Sequence, residues 1–456
     1  MTAATPRRAL LAAALAAATV TAAVSGPAAA RGPRPRDPRG TVDNRFWYAY
    51  GHWRAGTHQG TVAVPGVRPR LEIGAASDRT EYTDPHTGRT SSWESAVWIS
   101  PVHVPAVPAT EVVPSWNAHT PPGTWLRAEL RAGYPDGTRS PWYTMGCWAA
   151  GEQDIRRTSV DDQGDGRTRV WTDTLAVAAP GKGPRIADWQ LRLTLYRRPG
   201  TRLTPWVHLA GAMASDVPDR TEVPASTPTP APELAVPRRS QEIHRGRYPE
   251  YDNGGEAWCS PTSSTMVLEY WGRGPGREEL AWVDPAYSDP QVCHAARRTF
   301  DHQYKGCGNW SFNAAYAAAY PETAAVVTRL SSLADAERLV RAGIPLITSQ
   351  SFRKGELTGA GYGTAGHLMT VTGFTSSGDV VANDPYAATN AEVRRVYRRR
   401  EFENVWLRTK RTDAAGKTAS GSGGICYLYV PARPGPVRTA ALAAVGVLPE
   451  PAPGIR

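Results

Sequence analysis

The chain has 456 residues, 41% of them apolar and 21% charged, with 16 Trp, a balance that supports folded domains and excludes a disordered chain. At roughly 150 residues per domain the length allows about three units, two of them folded once a leader and a linker are set aside. The net charge of +10 is carried almost wholly by Arg. It is spread along the chain together with abundant Ala, Gly and Pro, with no single basic face, so nucleic-acid binding is not indicated.

Arg7 and Arg8 precede an apolar run from Ala9 to Val24 and a small-residue site at Ala28, Ala29 and Ala30, the layout of a signal peptide over residues 1–30. The run is shorter than the roughly 20 residues a spanning helix needs, so export without a stable membrane anchor is expected. Residues 31–40, rich in Pro, Arg and Gly, read as a flexible leader.

From residue 41 to 220 the pattern is β. Trp125 to Arg131 and Trp189 to Tyr196 alternate apolar and polar side chains, and turn signals such as Pro135-Asp136-Gly137 and Gly164-Asp165-Gly166 separate such runs. Short strands with regular turns predict a β-sandwich. Its aromatics Trp142, Tyr143, Trp148, Trp171 and Trp189 are expected mainly in the core, with stacking on a cell-wall polymer as the functional alternative.

Residues 221–239, rich in Pro, Ser and Thr, read as an extended, unpacked linker. Residues 240–432 then turn α+β. Helices are predicted over Thr262–Trp271, Asn309–Tyr320 and Ala334–Arg341, and strands over Ile344–Gln350, His367–Phe374, Asp379–Asn383 and Cys426–Val430. Residues 433–456 read as a flexible tail. The fold class is therefore α+β, a helix-first domain with a later antiparallel sheet preceded by an all-β sandwich.

Five cysteines, an odd number, leave at least one thiol unpaired in an exported chain. Cys293 and Cys307 are close enough in sequence to close a loop as a disulfide, the favoured reading. His294 and His302 beside them make zinc the lesser alternative, and no metal or cofactor is expected. The isolated reading of Cys259 is a core thiol or a disulfide partner of Cys147 or Cys426.

Its context changes that. Cys259 stands just before Pro261 and a helix, where the positive end of the helix dipole favours a thiolate and the backbone N–H of Cys259 can face an oxyanion. His367 opens an apolar strand after Gly363-Thr364-Ala365-Gly366. The chain turns at Ser376-Ser377-Gly378 and returns to Asp384, which lies opposite His367 or offset from it by about three residues. A nucleophile, a base and an orienting carboxylate are the parts of thiol-based acyl transfer.

The blocks WCSPTSSTMVLEYWG, GHLMTVTGF and VANDPYA resemble those of the peptidases that process bacteriocin leader peptides, papain-like enzymes with stand-alone secreted relatives. The resemblance covers about Ser240 to Val430 and implies a papain-like cysteine peptidase domain with Cys259 as nucleophile, His367 as general base and Asp384 as orienting acid. It also implies an oxyanion-binding Gln shortly before the Cys. Here Gln241 lies farther upstream and Asn253 nearer, and Gln241 is favoured, with an insertion looping between. The expected function is a secreted cysteine peptidase acting on peptide or protein substrates. The alternatives are acyl or peptidyl transfer by the same residues, or an inactive cell-envelope binding protein.

Overall fold

The computed structural model describes residues 40–179 and 181–448. The expected signal peptide and all of the leader but Gly40 lie outside the described residues. No helix among the described residues is long and apolar enough to cross a membrane.

The N-terminal half folds into two antiparallel sheets. In the six-stranded sheet, Thr124–Gly133 and Asp188–Arg197 pair along their full length. Leu126, Ala128, Leu130, Leu191, Leu193 and Leu195 enter the main core, as their alternation requires. The intervening Arg192 meets Glu129 with two hydrogen bonds of 2.6 Å. The seven-stranded sheet places the Thr168–Trp171 and Thr174–Val177 hairpin at one edge, beside Glu111–His119 and Trp206–Asp216.

The C-terminal half is built on a six-stranded antiparallel sheet, in the order Thr323–Arg329, Ile425–Pro431, Leu346–Phe352, Thr364–Phe374, Val380–Asn383 and Arg394–Tyr397. Cys259–Tyr270 and Trp310–Ala318 share a core with one face of it, through Val267, Leu268, Phe312, Ile347, Leu368, Tyr427 and Tyr429. Leu333–Arg341 and Arg399–Leu407 cover the other, where Leu339, Met369, Val371, Trp406 and Leu428 meet. The chain is α+β. The predicted helices and strands of this half all appear, with ends shifted by a few residues as is usual. The Cys259 helix begins three residues earlier than expected because Pro261 is accommodated inside its first turn, where no N–H is needed.

Three expectations need correction. The 221–239 segment is extended but packed: Ser226 N–H donates to Glu403, Thr229 N–H to Glu337 and Leu234 N–H to the Thr372 carbonyl, and Val236 is buried. Its prolines leave few donors, and buried carboxylates meet two of those that remain. The tail is not wholly loose, since Gly435–Ala444 is a helix that buries Leu442, followed by buried Val447. The Cys293–Cys307 disulfide is absent, and all five thiols are free. The two side chains turn to different partners, Cys293 Sγ to His244 Nδ1 at 3.5 Å and Cys307 Sγ to the Ala296 carbonyl at 3.4 Å.

The halves are joined by more than the connecting segment. Thr323–Arg329 is an edge strand, and such an edge exposes unpaired backbone groups. The buried Asn117 side chain satisfies two of them, donating to the Ala325 carbonyl at 2.6 Å and accepting from its N–H at 3.1 Å. Ser115 Oγ accepts from Val327 N–H at 2.9 Å. Trp116 and Trp148 pack edge-on against Phe312.

Candidate active site

Cys259 is the first residue of its helix and is half-buried. A helix leaves its first N–H groups without intrahelical partners, so the thiol sits beside unspent donors. The polar face behind it is fully used: Ser260 Oγ meets Tyr427 Oη at 3.0 Å, Ser263 Oγ donates to the Leu368 carbonyl at 3.1 Å and Ser264 Oγ meets Tyr429 Oη at 2.9 Å. These small hydroxyls let the helix lie close on the strand that carries His367.

His367, 4% exposed, is hydrogen-bonded through Nε2 to Asp384 Oδ1 at 2.8 Å. Cys259 lines the same cleft and is close enough to help raise the His367 pKa. The register explains how the pair meets. Outward from the turn, Phe374 pairs with Val380 and Gly373 with Val381, a ladder that would continue to put Asp384 opposite Thr370 and on the wrong face from His367. A bulge at Thr372 adds one residue, so that Val371 pairs with Ala382 and Thr370 with Asn383. Asp384 then falls opposite Met369, two residues from His367 and on the same face. The bulge is held from outside: its Thr372 carbonyl accepts from Leu234 N–H at 2.8 Å, and a Cβ on Gly373 would lie 2.5 Å from Glu233 Cα.

Asp384, 2% exposed, also accepts from Tyr386 N–H at 3.0 Å and, on Oδ2, from Tyr362 Oη at 3.0 Å and Tyr397 Oη at 2.6 Å. Burial works to raise its pKa, but the His367 charge and these hydrogen bonds outweigh it and hold the carboxyl below its usual range. Burial likewise works against a charged His367. The charge and hydrogen bond of Asp384, with the thiol, overcome it and push the imidazole up to about 10. The arrangement favours an imidazolium between a carboxylate and a sulfur. Tyr362 packs edge-on at 5.4 Å from the ring and shields it. Neither Tyr362 nor Tyr397 was marked by any motif; only the fold brings them to Asp384.

Gln241, 1% exposed, lines the same cleft as Cys259 and donates through Nε2 to the Glu256 carbonyl at 2.7 Å, while its Oε1 has no partner. The fourteen-residue loop between Gln241 and Glu256 closes because Gly255 has no side chain: a Cβ there would lie 2.4 Å from the Gln241 carbonyl oxygen. Asn253 is exposed, in a left-handed turn at φ 63°, and is not among the cleft residues. His294 bonds the Glu279 carbonyl at 3.1 Å and the His302 ring lies tilted against that of His86 at 5.4 Å, so neither joins Cys293 and Cys307 in a ligand set. Among the described residues no group of three or more His, Cys, Asp or Glu could hold a metal ion.

The cleft in which these residues meet has a volume of about 670 Å³, within the range of small-molecule and peptide sites. Gly363 to Leu368, Tyr362 and Tyr386 line one side of it. Trp171, Thr172, Asp173 and Thr174 of the N-terminal half, with Tyr304 and Trp310, also line it. Sequence reasoning had no signal for that contribution, since a hairpin tip in one domain gives no sign of the cleft it will meet in another.

The family model described as the peptidase C39 N-terminal domain matches residues 43–215, and that of the Peptidase_C39-like family matches residues 233–414. Among solved structures, one described as a C39-like peptidase from Bacillus anthracis aligns at 17% identity, covering 44% of this chain and 98% of its own, with a TM-score of 0.27. No curated protein matches the chain.

Proposed function

Given that the chain belongs to the peptidase C39 family and is thereby a cysteine peptidase, we propose that it hydrolyses peptide bonds through a Cys259–His367–Asp384 triad, acting outside the cell that exports it. The observation that carries the reading is buried His367, hydrogen-bonded through Nε2 to Asp384 and lining the same cleft as Cys259.

In this reading the Cys259 thiolate attacks the scissile carbonyl carbon and forms an S–C bond, and the carbonyl π electrons move onto oxygen. The backbone N–H of Cys259 is the available donor to that oxyanion, and Gln241 Nε2, which donates to the Glu256 carbonyl and to Glu242 Oε1, joins it by giving up the longer of these two bonds. As the oxyanion collapses, the C–N bond breaks and His367 gives its proton to the leaving amine. Water then attacks the thioester while neutral His367 takes its proton, the acid is released and the thiolate returns. Asp384 keeps the imidazole in the orientation both steps need. Transfer to an amine in place of water is the same chemistry with a different second nucleophile, and nothing in the cleft favours it. An inactive scaffold is disfavoured because it would not need a buried carboxylate committed to one imidazole.

The test is a peptide-library digest with the wild-type protein beside Cys259→Ala, together with iodoacetamide labelling. Expected are cleavage products absent from the variant and one alkylated residue, Cys259. Turnover that survives the substitution, or alkylation spread over the buried thiols Cys147, Cys293, Cys307 and Cys426, would refute the reading.

A further inference from the structure

Of the exposed large side chains among the described residues, four are aromatic, and three of these, Trp171, Tyr304 and Tyr386, line the one cleft that holds Cys259. Solvent-facing aromatics gathered at a cleft point to recognition more than to packing. Trp171 is 56% exposed at the end of its strand, next to a turn in which Thr172 takes a left-handed φ of 50°. The turn is anchored, since Asp173 accepts from Trp310 N–H at 2.6 Å and from Thr174 Oγ1 at 3.1 Å. The hairpin tip of the β-domain is thus fixed to the helix next to the catalytic one.

The charge of this wall runs against that of the chain. In a protein with 52 Lys and Arg against 42 Asp and Glu, the residues lining the cleft include Asp173, Asp252 and Glu256 and neither a Lys nor an Arg. Asp252 accepts only from Cys307 N–H, at 2.9 Å, and burial holds its carboxyl above the usual range. Burial, together with the nearby Asp301, likewise pushes Asp173 up to about 7. Both are carboxylates short of a counter-charge. A second polar group, the buried and unpartnered Gln241 Oε1, is an open acceptor on the same cleft.

We propose that Trp171 and the cleft carboxylates Asp173 and Asp252 form a specificity site for a cationic side chain, Lys or Arg, of the peptide substrate, so that the N-terminal β-domain supplies part of the active site's selectivity. The Arg169 guanidinium lies 4.1 Å from the Trp171 ring centroid and takes one face of the indole, so a substrate ammonium or guanidinium group gains from the other face and from the partly desolvated carboxylates. The proposal rests on the peptidase reading above and goes beyond it in naming the residue class and the wall that selects it.

The full-length protein is assayed with matched peptides carrying Lys, acetyl-lysine, norleucine or Glu near the scissile bond. Expected is a preference for Lys of about tenfold or more over the two neutral residues, with Glu poorest. Trp171→Ala and Asp252→Asn should each shrink that preference, raising KM more than they lower kcat, while Cys259 still labels with iodoacetamide as evidence of an intact fold. Cleavage without a Lys preference, or a preference untouched in both variants, overturns the specificity site and leaves the peptidase reading standing. If no peptide is cleaved, the peptidase reading falls, and calorimetry on the Cys259→Ala protein still decides the site: the Lys peptide must bind more tightly than its acetyl-lysine twin, and equal binding overturns it.

Discussion

Two hairpins border the cleft, and they are built to opposite rules. The one made by Thr364–Phe374 and Val380–Asn383 is buried through nearly all its length, has a bulge that fixes its register and is strapped by Pro232 to Leu234. The one made by Thr168–Trp171 and Thr174–Val177 alternates buried and exposed residues in its first strand and rises to an exposed Trp. The comparison separates two demands. An acid–base pair must be held to a fraction of an ångström, whereas a side chain that meets variable substrate needs only its backbone fixed.

The strongest way to break the comparison is to disturb the first hairpin chemically. Asp384→Asn keeps the shape but removes the charge that holds the imidazolium, so kcat should fall by about 10² to 10³. With the causes that raise the His367 pKa removed, the alkaline limb of the activity profile should also move to lower pH. Linkage fixes the sign for stability. His367 is raised on folding, so its contribution is complete below about 6.5, its unfolded value, and is lost as the pH rises through about 10. Asp384 is lowered, so its contribution is present above about 3.9, its unfolded value, and is lost as pH falls through its folded value. A pH–rate profile and urea melts at several pH values measure both. A variant as active as wild type would remove Asp384 from the machinery.

A steric contrast on the same hairpin comes next. Gly373→Ala sets a methyl 2.5 Å from Glu233 Cα and 2.8 Å from the Pro232 carbonyl oxygen, both backbone atoms that cannot swing aside. It should cost about 1–3 kcal/mol. Gly366→Ala, at the cleft mouth of that strand, meets nothing within 4 Å and should stay within about 0.5 kcal/mol of wild type. Equal denaturation midpoints for the two would mean that the strap does not bear on the bulge.

What could be read in advance follows the same division. The order of Cys, helix, strand, His, turn and Asp lies within a few short segments, so local spacing carried the papain-like reading and named the residues that the fold brings together. Register was left open between two alternatives because a bulge is a tertiary choice: Thr372 is displaced by a strand-like segment arriving from residue 234, and nothing in the local sequence of Leu368 to Phe374 records it. The linker misled for a related reason. Pro, Ser and Thr signal an extended chain correctly, but extension does not imply solvation when buried Glu337 and Glu403 wait for the few N–H groups left. Among the aromatics of the β-domain, Tyr143, Trp148 and Trp189 are core as composition suggests, whereas Trp171 is not, and its alternation alone could not say what its outer face would meet.

The second hairpin reaches the cleft only if the β-domain stays seated, which makes Asn117 the next residue to test. Asn117→Ala leaves the N–H and C=O of Ala325 buried on an edge strand without partners. The expected loss is about 2 kcal/mol. Asn117→Asp, which keeps an acceptor and loses the donor, should lie at least as low. Thermal melts of the full chain read this directly, and separate transitions for the two halves in the Ala variant would show that the seam is what makes them melt together.

The smallest effect sharpens the contrast from the side of the recognition hairpin. Asp173 is raised on folding, the reverse of Asp384, so the folded state retains a proton that the unfolded chain gives up near pH 4. Stability should therefore fall as pH rises from about 4 to about 7, as the ionised carboxylate is left facing Asp301. Asp173→Asn carries no such charge and can keep the acceptor for Trp310 N–H, so it should match or exceed wild type at pH 8 by about 1 kcal/mol and show a flatter profile between pH 5 and 8. The same substitution should weaken selection of a cationic substrate. A structural carboxylate would give up stability at every pH, and a recognition carboxylate held in a fold that gains nothing from its charge should give up selectivity alone.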